Sequence, residues 1–343
     1  MKAAVYRSNR DVRIEDVPVP RIGPGEILVR IEASGICGSD VAEWYRVRKA
    51  PIVLGHEVAG VVEEAGEGVA KFRVGERVVV AHHVPCNTCR YCLRGHHSVC
   101  DTLRTTTFDP GGFCEKVRVP AINVDRGVFL LPDELTFEEG TFVEPLACVV
   151  RAQRIAGVAP GKSVLVLGSG ISGLLHVRLA CALGAGRVMA TDLGEWRLAA
   201  ARRFGAEAAF RGDADVPALV RQANEGRGAD VVLVCTSAPV AMQQAFRSVD
   251  RGGTILVFAL PDPGVEIPMP ALDLWRDGVT IACSYAGPPR ETLEAIELIR
   301  SRRVVVADMI THRLPLAEAQ RGFDLVAGGR ESIKVILFPQ GTK

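Results

Sequence analysis

The sequence lacks an excess of charge of either sign. Its 41 lysines and arginines stand against 40 aspartates and glutamates, which leaves a formal net charge of +1. A protein that binds nucleic acid or anionic lipid through phosphates needs clustered positive charge. The composition therefore predicts neither partner and favours a small-molecule ligand.

Long apolar runs and an export signal are also missing. No run approaches the roughly 20 apolar residues that a membrane-spanning helix requires. Met1-Lys2-Ala3 is not followed by a signal-peptide pattern, and we find no internal repeat. A cytoplasmic chain is predicted, and its 343 residues, 48% of them hydrophobic, are enough for two globular domains.

The ten cysteines are unevenly spaced. Four of them lie within fifteen positions in the spacing C-x₂-C-x₂-C-x₇-C: Cys86, Cys89, Cys92 and Cys100. Without an export signal, such a cluster predicts a metal site and not disulfides. Four thiolates can enclose Zn²⁺ with no open position, as in structural zinc sites. An iron–sulfur cluster, which the spacing fits less well, and free thiols are the alternatives.

The pattern of residue types along the chain changes near residue 150. Before it, short β-like runs alternate with Pro/Gly turns and predict a β-rich domain. After it come apolar runs, the earlier ones separated by helical segments: 163–167, 187–191, 229–235, 253–259 and 279–283. This alternation predicts a parallel sheet with helical crossovers. Two helical pieces and a final strand follow beyond about residue 287.

A glycine fingerprint lies between the first apolar run and a helical stretch. Its G-x-G-x-x-G sequence is Gly168-Ser169-Gly170-Ile171-Ser172-Gly173. Glycine there permits a tight turn, a close approach of the backbone to a pyrophosphate and close packing of helix on strand. Free N–H groups at the helix start would face the phosphates. A purely structural glycine turn is the alternative.

Asp192 stands nineteen residues after Gly173, at the end of the next apolar run. An acidic side chain at this place accepts hydrogen bonds from the adenosine ribose and repels a 2′-phosphate. The pattern therefore predicts NAD as the cofactor. Arg197, five residues on, is a second candidate at the ribose and leaves NADP open.

Three further metal-binding candidates are scattered along the chain. They are Cys37, the pair His56-Glu57, and Glu144. A thiolate, an imidazole and a carboxylate can bind Zn²⁺ and leave a position for substrate. Spacing alone does not assemble them, since single cysteines and glutamates usually have other roles.

The chain resembles the zinc-dependent medium-chain alcohol dehydrogenase superfamily, with the sorbitol (polyol) and threonine dehydrogenase branch as its nearest likeness. The resemblance rests on Gly55-His56-Glu57-x₂-Gly60-x₅-Gly66-x₂-Val69, the cysteine cluster, the glycine fingerprint and Glu144-Pro145-Leu146 in that order. It implies a GroES-like catalytic domain of residues 1–150 and 287–343, with a zinc lobe at about 82–104. A Rossmann NAD-binding domain, residues 151–286, would be inserted into it, and the protein would be a dimer or tetramer.

The resemblance also implies residue roles. Cys37 and His56 would hold a catalytic zinc, with Glu57 or Glu144 completing its shell, so that each chain would carry two zinc ions. Ser39 would take the proton of the alcohol, although it could instead cap a helix beginning at residue 40 or 41. Lys334 would contact the pyrophosphate, with a solvated lysine as the alternative.

The implied activity is hydride transfer between NAD(H) and a secondary or polyhydroxylated alcohol and its ketone. Many relatives carry a proton-relaying His five residues after the ligand cysteine, where this chain has Ala42. The relay would then end through water, through Glu43 or directly. A short segment between Cys37 and His56, and Ser284 where sorbitol dehydrogenases have Arg, argue against sorbitol itself. L-Threonine or amino-alcohol oxidation, a zinc-free quinone or enoyl reductase, and an NAD-binding regulator without turnover are the alternatives.

Overall fold

A computed structural model describes residues 1–259 and 262–341. The chain divides into two compact units, one formed by Met1–Ala147 with Ala286–Lys343 and the other by Cys148–Tyr285. Among the helices of the described residues, none has both the length and the apolar character needed to cross a membrane.

The strands are, in chain order, β1 Lys2–Ser8, β2 Asp11–Asp16, β3 Ile27–Ile36, β4 Ile52–Val53, β5 Glu57–Ala65, β6 Arg77–Val80, β7 Lys116–Val119, β8 Val128–Leu130, β9 Ser163–Leu167, β10 Arg187–Asp192, β11 Ala208–Arg211, β12 Ala229–Val234, β13 Val249–Val257, β14 Thr280–Cys283, β15 Ile310–Pro315 and β16 Lys334–Phe338. The α-helices are α1 Glu43–Arg46, α2 Asp101–Thr105, α3 Ala121–Gly127, α4 Phe137–Gly140, α5 Val143–Ala156, α6 Ile171–Ala182, α7 Glu195–Arg203, α8 Val216–Ala223, α9 Pro239–Ser248, α10 Ala271–Arg276, α11 Pro289–Arg300 and α12 Ala319–Gly328.

The second unit is built on a six-stranded parallel sheet. Its strand order is β11-β10-β9-β12-β13-β14. The chain starts in the middle at β9, winds outward to β11, returns to β12 and winds to the other edge. This is the doubly wound dinucleotide-binding topology, whose strand order reverses between β9 and β12. The loop after β9 lies at that reversal, which is where such sheets bind their ligands.

The first unit is β-rich. Its seven-stranded sheet has the order β15-β16-β3-β5-β6-β8, with β7 also paired to β3, and a three-stranded sheet has the order β2-β1-β4. The C-terminal strand β16 pairs with β3, so the end of the chain completes the sheet of the N-terminal part. The predicted fold class is confirmed.

An aromatic group fixes helix α12 on the core of the first unit. Tyr6, Phe113 and Phe323 are fully buried. The Phe323 ring lies 5.6 Å from that of Tyr6 and 5.8 Å, edge to face, from that of Phe113. Such pairs add to the free energy of apolar burial.

We predict that Phe323→Ala lowers the free energy of unfolding by about 3–5 kcal/mol, because it leaves a cavity that the β-sheet cannot close. Guanidinium unfolding followed by circular dichroism measures the change. Leu293→Ala on α11 is the control, since Leu293 is 57% exposed and should change stability by less than about 0.5 kcal/mol. Equal effects of the two substitutions would contradict this description of the core.

Candidate active site

Strand pairing brings together three candidate metal ligands from distant parts of the sequence. In the antiparallel register of β3 and β5, Gly35 faces Glu57. Cys37 directly follows β3 and His56 directly precedes β5. Cys37, His56 and Glu57 each offer a ligand atom within 4.8 Å of the other two. A thiolate, an imidazole and a carboxylate at this spacing can hold a divalent metal ion.

A buried carboxylate supports this group from behind. Asp40 is fully buried, and its carboxylate accepts a hydrogen bond from the Cys37 N–H at 3.0 Å and lies 3.3 Å from His56 Nδ1. Burial opposes the charged forms of both side chains. Their mutual attraction outweighs it, lowering the pKa of Asp40 and raising that of His56 well above its usual value. A carboxylate on one imidazole nitrogen orients the other nitrogen as a metal ligand.

Asp40 was missed by the sequence analysis. Its signal was a carboxylate three residues after the candidate ligand Cys37, close enough to fold back on the same turn. Its contact with His56 joins residues that are sixteen positions apart, and only the paired strands bring them together.

Ser39 lies beside the Nε2 side of the His56 ring. Its Oγ is 3.5 Å from His56 Nε2, and its main-chain N–H donates to Cys37 Sγ at 3.5 Å. The alternative role of Ser39 as a helix cap is wrong, because helix α1 begins at Glu43 with Ala42 as its N-cap. The hydroxyl of Ser39 is therefore available at the candidate metal site.

Glu57 and Lys334 form a buried ion pair. Their side chains are 1% and 0% exposed, and the Lys334 ammonium donates to a Glu57 carboxylate oxygen. Gly35 makes room for the pair, since a Cβ at that position would lie 2.4 Å from Glu57 and 2.6 Å from Lys334. The solvated alternative for Lys334 is thus wrong. Its contact with a cofactor pyrophosphate stays a prediction.

Glu144 lies at the start of helix α5. It lines a small cavity with Val58, Ala81 and Thr292. Among residues 1–259 and 262–341, the group of mutually close ligand atoms comprises Cys37, His56 and Glu57 and does not extend to Glu144. Its role at the metal stays a prediction.

Two neighbouring histidines, His82 and His83, which the sequence analysis did not single out, lie next to His56. The His82 ring lies 4.8 Å from that of His56 and 3.8 Å from that of His83. Burial holds the pKa of His82 well below its usual value and lowers that of His83 to about 4. Both rings are therefore neutral at physiological pH and add no positive charge to the ligand group.

The four clustered cysteines converge in a lobe that also holds the buried Leu103. Their sulfurs lie within 4.8 Å of one another, and Cys86 Sγ is 3.6 Å from Cys100 Sγ and 4.0 Å from Cys92 Sγ. Zinc–sulfur bonds of about 2.3 Å at tetrahedral angles place sulfurs about 3.8 Å apart. The lobe therefore fits a closed ZnS₄ site.

The lobe also prepares its sulfurs for a cation. Main-chain N–H groups of Thr88 and Cys89 donate to Cys86 Sγ at 3.5 and 3.2 Å and lower the pKa of Cys86 to about 5. Burial raises the pKa of Cys92 to about 12. Holding Cys92 as a thiolate beside Cys86 at neutral pH therefore requires a positive charge among the sulfurs.

The glycine fingerprint forms the turn between β9 and α6. Gly168 has a φ of +96°, which favours glycine, and a Cβ on Gly173 would lie 1.8 Å from the Gly168 carbonyl oxygen. Gly170 caps the helix, which begins at Ile171 and Ser172. Turn, helix start and close packing thus occur together, as a dinucleotide site requires.

Asp192 ends strand β10 directly beside this turn. Its carboxylate accepts hydrogen bonds from the N–H groups of Ser169 and Gly194, both at 2.9 Å. Arg197 Nη1 lies 3.9 Å from the same carboxylate and 3.3 Å from where a Cβ on Gly170 would be. Both side chains proposed from the sequence for the ribose are therefore at the fingerprint turn, and their roles stay predictions.

Comparison with known families finds two matching models. Residues 23–133 match the alcohol dehydrogenase GroES-like domain, and residues 172–301 match the zinc-binding dehydrogenase model. The first region contains Cys37, His56 and the cysteine lobe, and the second begins inside the glycine fingerprint.

Individual proteins match over nearly the whole chain. A sorbitol dehydrogenase from Gallus gallus is 33% identical, covering 98% of this chain and 95% of the relative. An L-threonine 3-dehydrogenase from Bacillus velezensis is also 33% identical, over 99% of both chains. Among solved structures, an alcohol dehydrogenase from Thermus sp. ATN1 superposes with a TM-score of 0.89 at 30% identity, covering 98% of this chain and 99% of that one.

We predict that Asp40→Asn lowers the affinity of the Cys37–His56 site for zinc by about 10–100-fold, because the amide cannot replace the carboxylate behind the imidazole. Competition with a chelator, with the bound zinc measured at each chelator concentration, gives the affinity of the zinc ion that is released first. Glu43→Gln is the control, since it removes an exposed carboxylate from the same segment. Zinc release at the wild-type chelator concentration in Asp40→Asn would contradict this role.

Proposed function

The chain belongs to the family of zinc-binding alcohol dehydrogenases, and from that premise we propose that it transfers a hydride between NAD(H) and a secondary or polyhydroxylated alcohol and its ketone. The observation that carries the proposal is the convergence of Cys37, His56 and Glu57 within 4.8 Å, with Asp40 behind His56 and the hydroxyl of Ser39 beside it. These are the parts that metal-assisted alcohol oxidation needs.

Each side chain has a defined task in this proposal. A zinc ion held by these residues would polarise the alcohol and lower its pKa, and a bound nicotinamide would accept the hydride. Cys37 and His56 would hold the metal, and the Asp40 carboxylate, 3.3 Å from His56 Nδ1, would orient the imidazole so that its Nε2 is free to bind the ion. Ser39 accepts the proton that the alcohol loses.

Two carboxylates compete for the third ligand position. Glu57 has a carboxylate oxygen within 4.8 Å of the candidate ligand atoms of Cys37 and His56, but its carboxylate forms an ion pair with Lys334. Glu144 lies on the neighbouring helix α5 and lines the cavity beside Val58. Measuring zinc content in Glu57→Gln and Glu144→Gln distinguishes them, because only the ligand's loss should release the catalytic ion. The cysteine lobe would hold a second, structural zinc.

For the cofactor, we propose NAD. The Asp192 carboxylate is held at the fingerprint turn by two main-chain N–H groups, which keeps its charge fixed where an adenosine ribose would bind. A 2′-phosphate would meet this charge and be repelled.

For the substrate, we propose a polyol, a cyclitol or a similar secondary alcohol. The similarity to a sorbitol dehydrogenase supports this class, although the short segment between Cys37 and His56 and the presence of Ser284 argue against sorbitol itself. An amino alcohol is the second candidate, because an L-threonine 3-dehydrogenase is equally similar.

We further propose a cytoplasmic homo-oligomer. No disulfide joins the cysteines of the described residues, and Cys181 and Cys283 are exposed, which suits a reducing compartment. Strand β14 forms an edge of its sheet, and Trp275, Leu272 and Ile281 on and near it are exposed. An unpaired edge with apolar side chains is suited to pairing with a second copy in a dimer or tetramer.

We predict that the purified protein contains two zinc ions per chain and forms NADH with at least one member of a panel of polyols, cyclitols, amino alcohols and secondary alcohols. Cys37→Ala should lose one zinc and all measurable turnover while still binding NADH. Metal analysis, absorbance at the NADH band and NADH fluorescence titration provide the readouts.

Cys92→Ala is the matched control, because it should lose the other zinc and destabilise its lobe. Two bound zincs with no turnover across the panel would instead indicate a regulator, and fewer than two would favour the zinc-free reductase class. Unchanged turnover in Cys37→Ala would remove that residue from the reaction.

We predict that Asp192→Gly reduces kcat/KM for NAD and raises it for NADP, because the ribose loses its acceptor and the 2′-phosphate no longer meets a carboxylate. The ratio of the two kcat/KM values should change by at least about 10-fold, as expected for a charge in direct contact. Asp213→Asn serves as the control, since Asp213 pairs with Arg211 at the surface. An unchanged ratio would exclude Asp192 from the ribose site.

A further inference from the structure

Neither Ala42 nor Glu43 is placed to receive a proton from the Ser39 side chain. Ala42 has no titratable group, and Glu43 points elsewhere, since its carboxylate accepts a hydrogen bond from the Asn9 N–H at 3.1 Å. Ser39 itself is exposed. Besides His56, whose Nε2 lies 3.5 Å away, the side chain that contacts the Ser39 hydroxyl is Arg46, at the end of helix α1.

Arg46 holds Ser39 through two hydrogen bonds. Its Nε donates to the Ser39 carbonyl oxygen at 2.9 Å and its Nη2 donates to Ser39 Oγ at 3.1 Å. Nη2 also lies 3.6 Å from the Asp40 carboxylate, and the side chain is only 15% exposed. The ring of Tyr45 packs 4.7 Å from the guanidinium and limits its movement. Because α1 has only four residues, the chain turns back quickly enough to place Arg46 over the start of its own loop.

The chemistry of these donors restricts what the Ser39 hydroxyl can do. A serine hydroxyl has two lone pairs and one proton, whereas arginine only donates and does not give up its charge in proteins. Arg46 occupies one lone pair of Ser39 Oγ. One lone pair is left to receive a proton from an alcohol, and one O–H is left to pass a proton on. Arg46 cannot be the acceptor of that proton.

We propose that Arg46 is a positioning residue that orients the Ser39 hydroxyl for a single proton transfer, and that the proton then passes from Ser39 directly to water. In this step the O–H bond of the alcohol breaks as its proton moves to Ser39 Oγ, and the O–H bond of Ser39 breaks as its own proton moves to a solvent water. The C–H bond of the alcohol carbon breaks separately, and its hydrogen moves with the electron pair to the nicotinamide of NAD. This inference rests on the alcohol dehydrogenase function proposed above.

The test compares Arg46→Gln and Arg46→Lys with Arg48→Gln in the zinc-loaded protein. Arg48 has the same charge, lies two residues away and is exposed. Arg46→Gln should lower kcat by about 10–100-fold with little change in KM, because a poorly oriented hydroxyl loses part of the roughly 100- to 10,000-fold that proton-transfer assistance contributes. Arg46→Lys should recover part of this loss, since one ammonium donor can still reach the hydroxyl. Arg48→Gln should match the wild type, and zinc content should be the same in all four proteins.

A double-mutant cycle with Ser39→Ala separates positioning from a general effect on the loop. If Arg46 acts through the Ser39 hydroxyl, Arg46→Gln should cause no further loss of kcat in the Ser39→Ala background. A merely structural role would lower kcat equally in both backgrounds and would overturn the proposal. So would wild-type kcat in Arg46→Gln.

A binding measurement provides a readout that needs no turnover. Isobutyramide is an unreactive carbonyl analogue of a ketone, and its dissociation constant from the NADH complex can be followed by NADH fluorescence. Arg46→Gln should raise the dissociation constant of isobutyramide by about 10-fold, because an oriented Ser39 hydroxyl donates a hydrogen bond to its carbonyl. In the Ser39→Ala background the same substitution should leave the dissociation constant unchanged. Equal affinity in wild type and Arg46→Gln would overturn the proposal. A wild type that binds the amide but oxidises no alcohol would count against the proposed function and not against Arg46.

Discussion

The antiparallel pairing of β3 with β5 is the constraint on which the candidate active site depends. Its register places Gly35 opposite Glu57, so Cys37 just beyond one strand meets His56 just before the other. A shift by one residue would turn the side chains of one strand to the opposite face of the sheet and separate the ligands. The site is therefore as rigid as the sheet core, as a metal centre with fixed geometry requires.

A third strand meets this pairing at the same point. Strand β16 pairs with β3 so that Ile336 faces Gly35, and Lys334 reaches Glu57 across the glycine. A lone buried charge on Glu57 would cost several kcal/mol, and the ammonium offsets it. The C-terminal segment thus does more than complete a sheet, because it supplies the cation that makes a buried carboxylate tolerable beside the metal ligands.

Local patterns in the sequence predicted much of the fold. The apolar run at residues 163–167 coincides with β9, and the helix after the glycine fingerprint ends at Ala182, where the pattern weakens. The short strand β11 and the helix α8 did not stand out, since each is brief and only partly apolar. The family models confirm the fold class and the family. Both could be predicted because local geometry sets the positions of the glycines and cysteines on which the prediction rests.

The candidate site was less accessible to prediction. The candidate ligands Cys37 and His56 were assigned from resemblance and not from spacing, since their contact depends on strand register. The Asp40–His56 contact and the Arg46–Ser39 hydrogen bonds depend on how a short loop turns back, which periodicity does not report. The alternative role of Ser39 as a helix cap was wrong for the same reason, because the turn after Cys37 delays the helix to Glu43.

The balance of charges at the candidate site depends on the loop that carries Arg46. When Cys37 is a thiolate and His56 is neutral, as metal binding requires, the negative groups of Cys37, Asp40 and Glu57 are faced by the cations of Arg46 and Lys334, which leaves one negative charge in excess. A divalent ion held there would change this to one positive charge, which would favour negative charge on a bound alcohol oxygen. Arg46 is thereby suited to two demands at once, since it offsets the charge of Asp40 and orients a hydroxyl without ever competing for its proton.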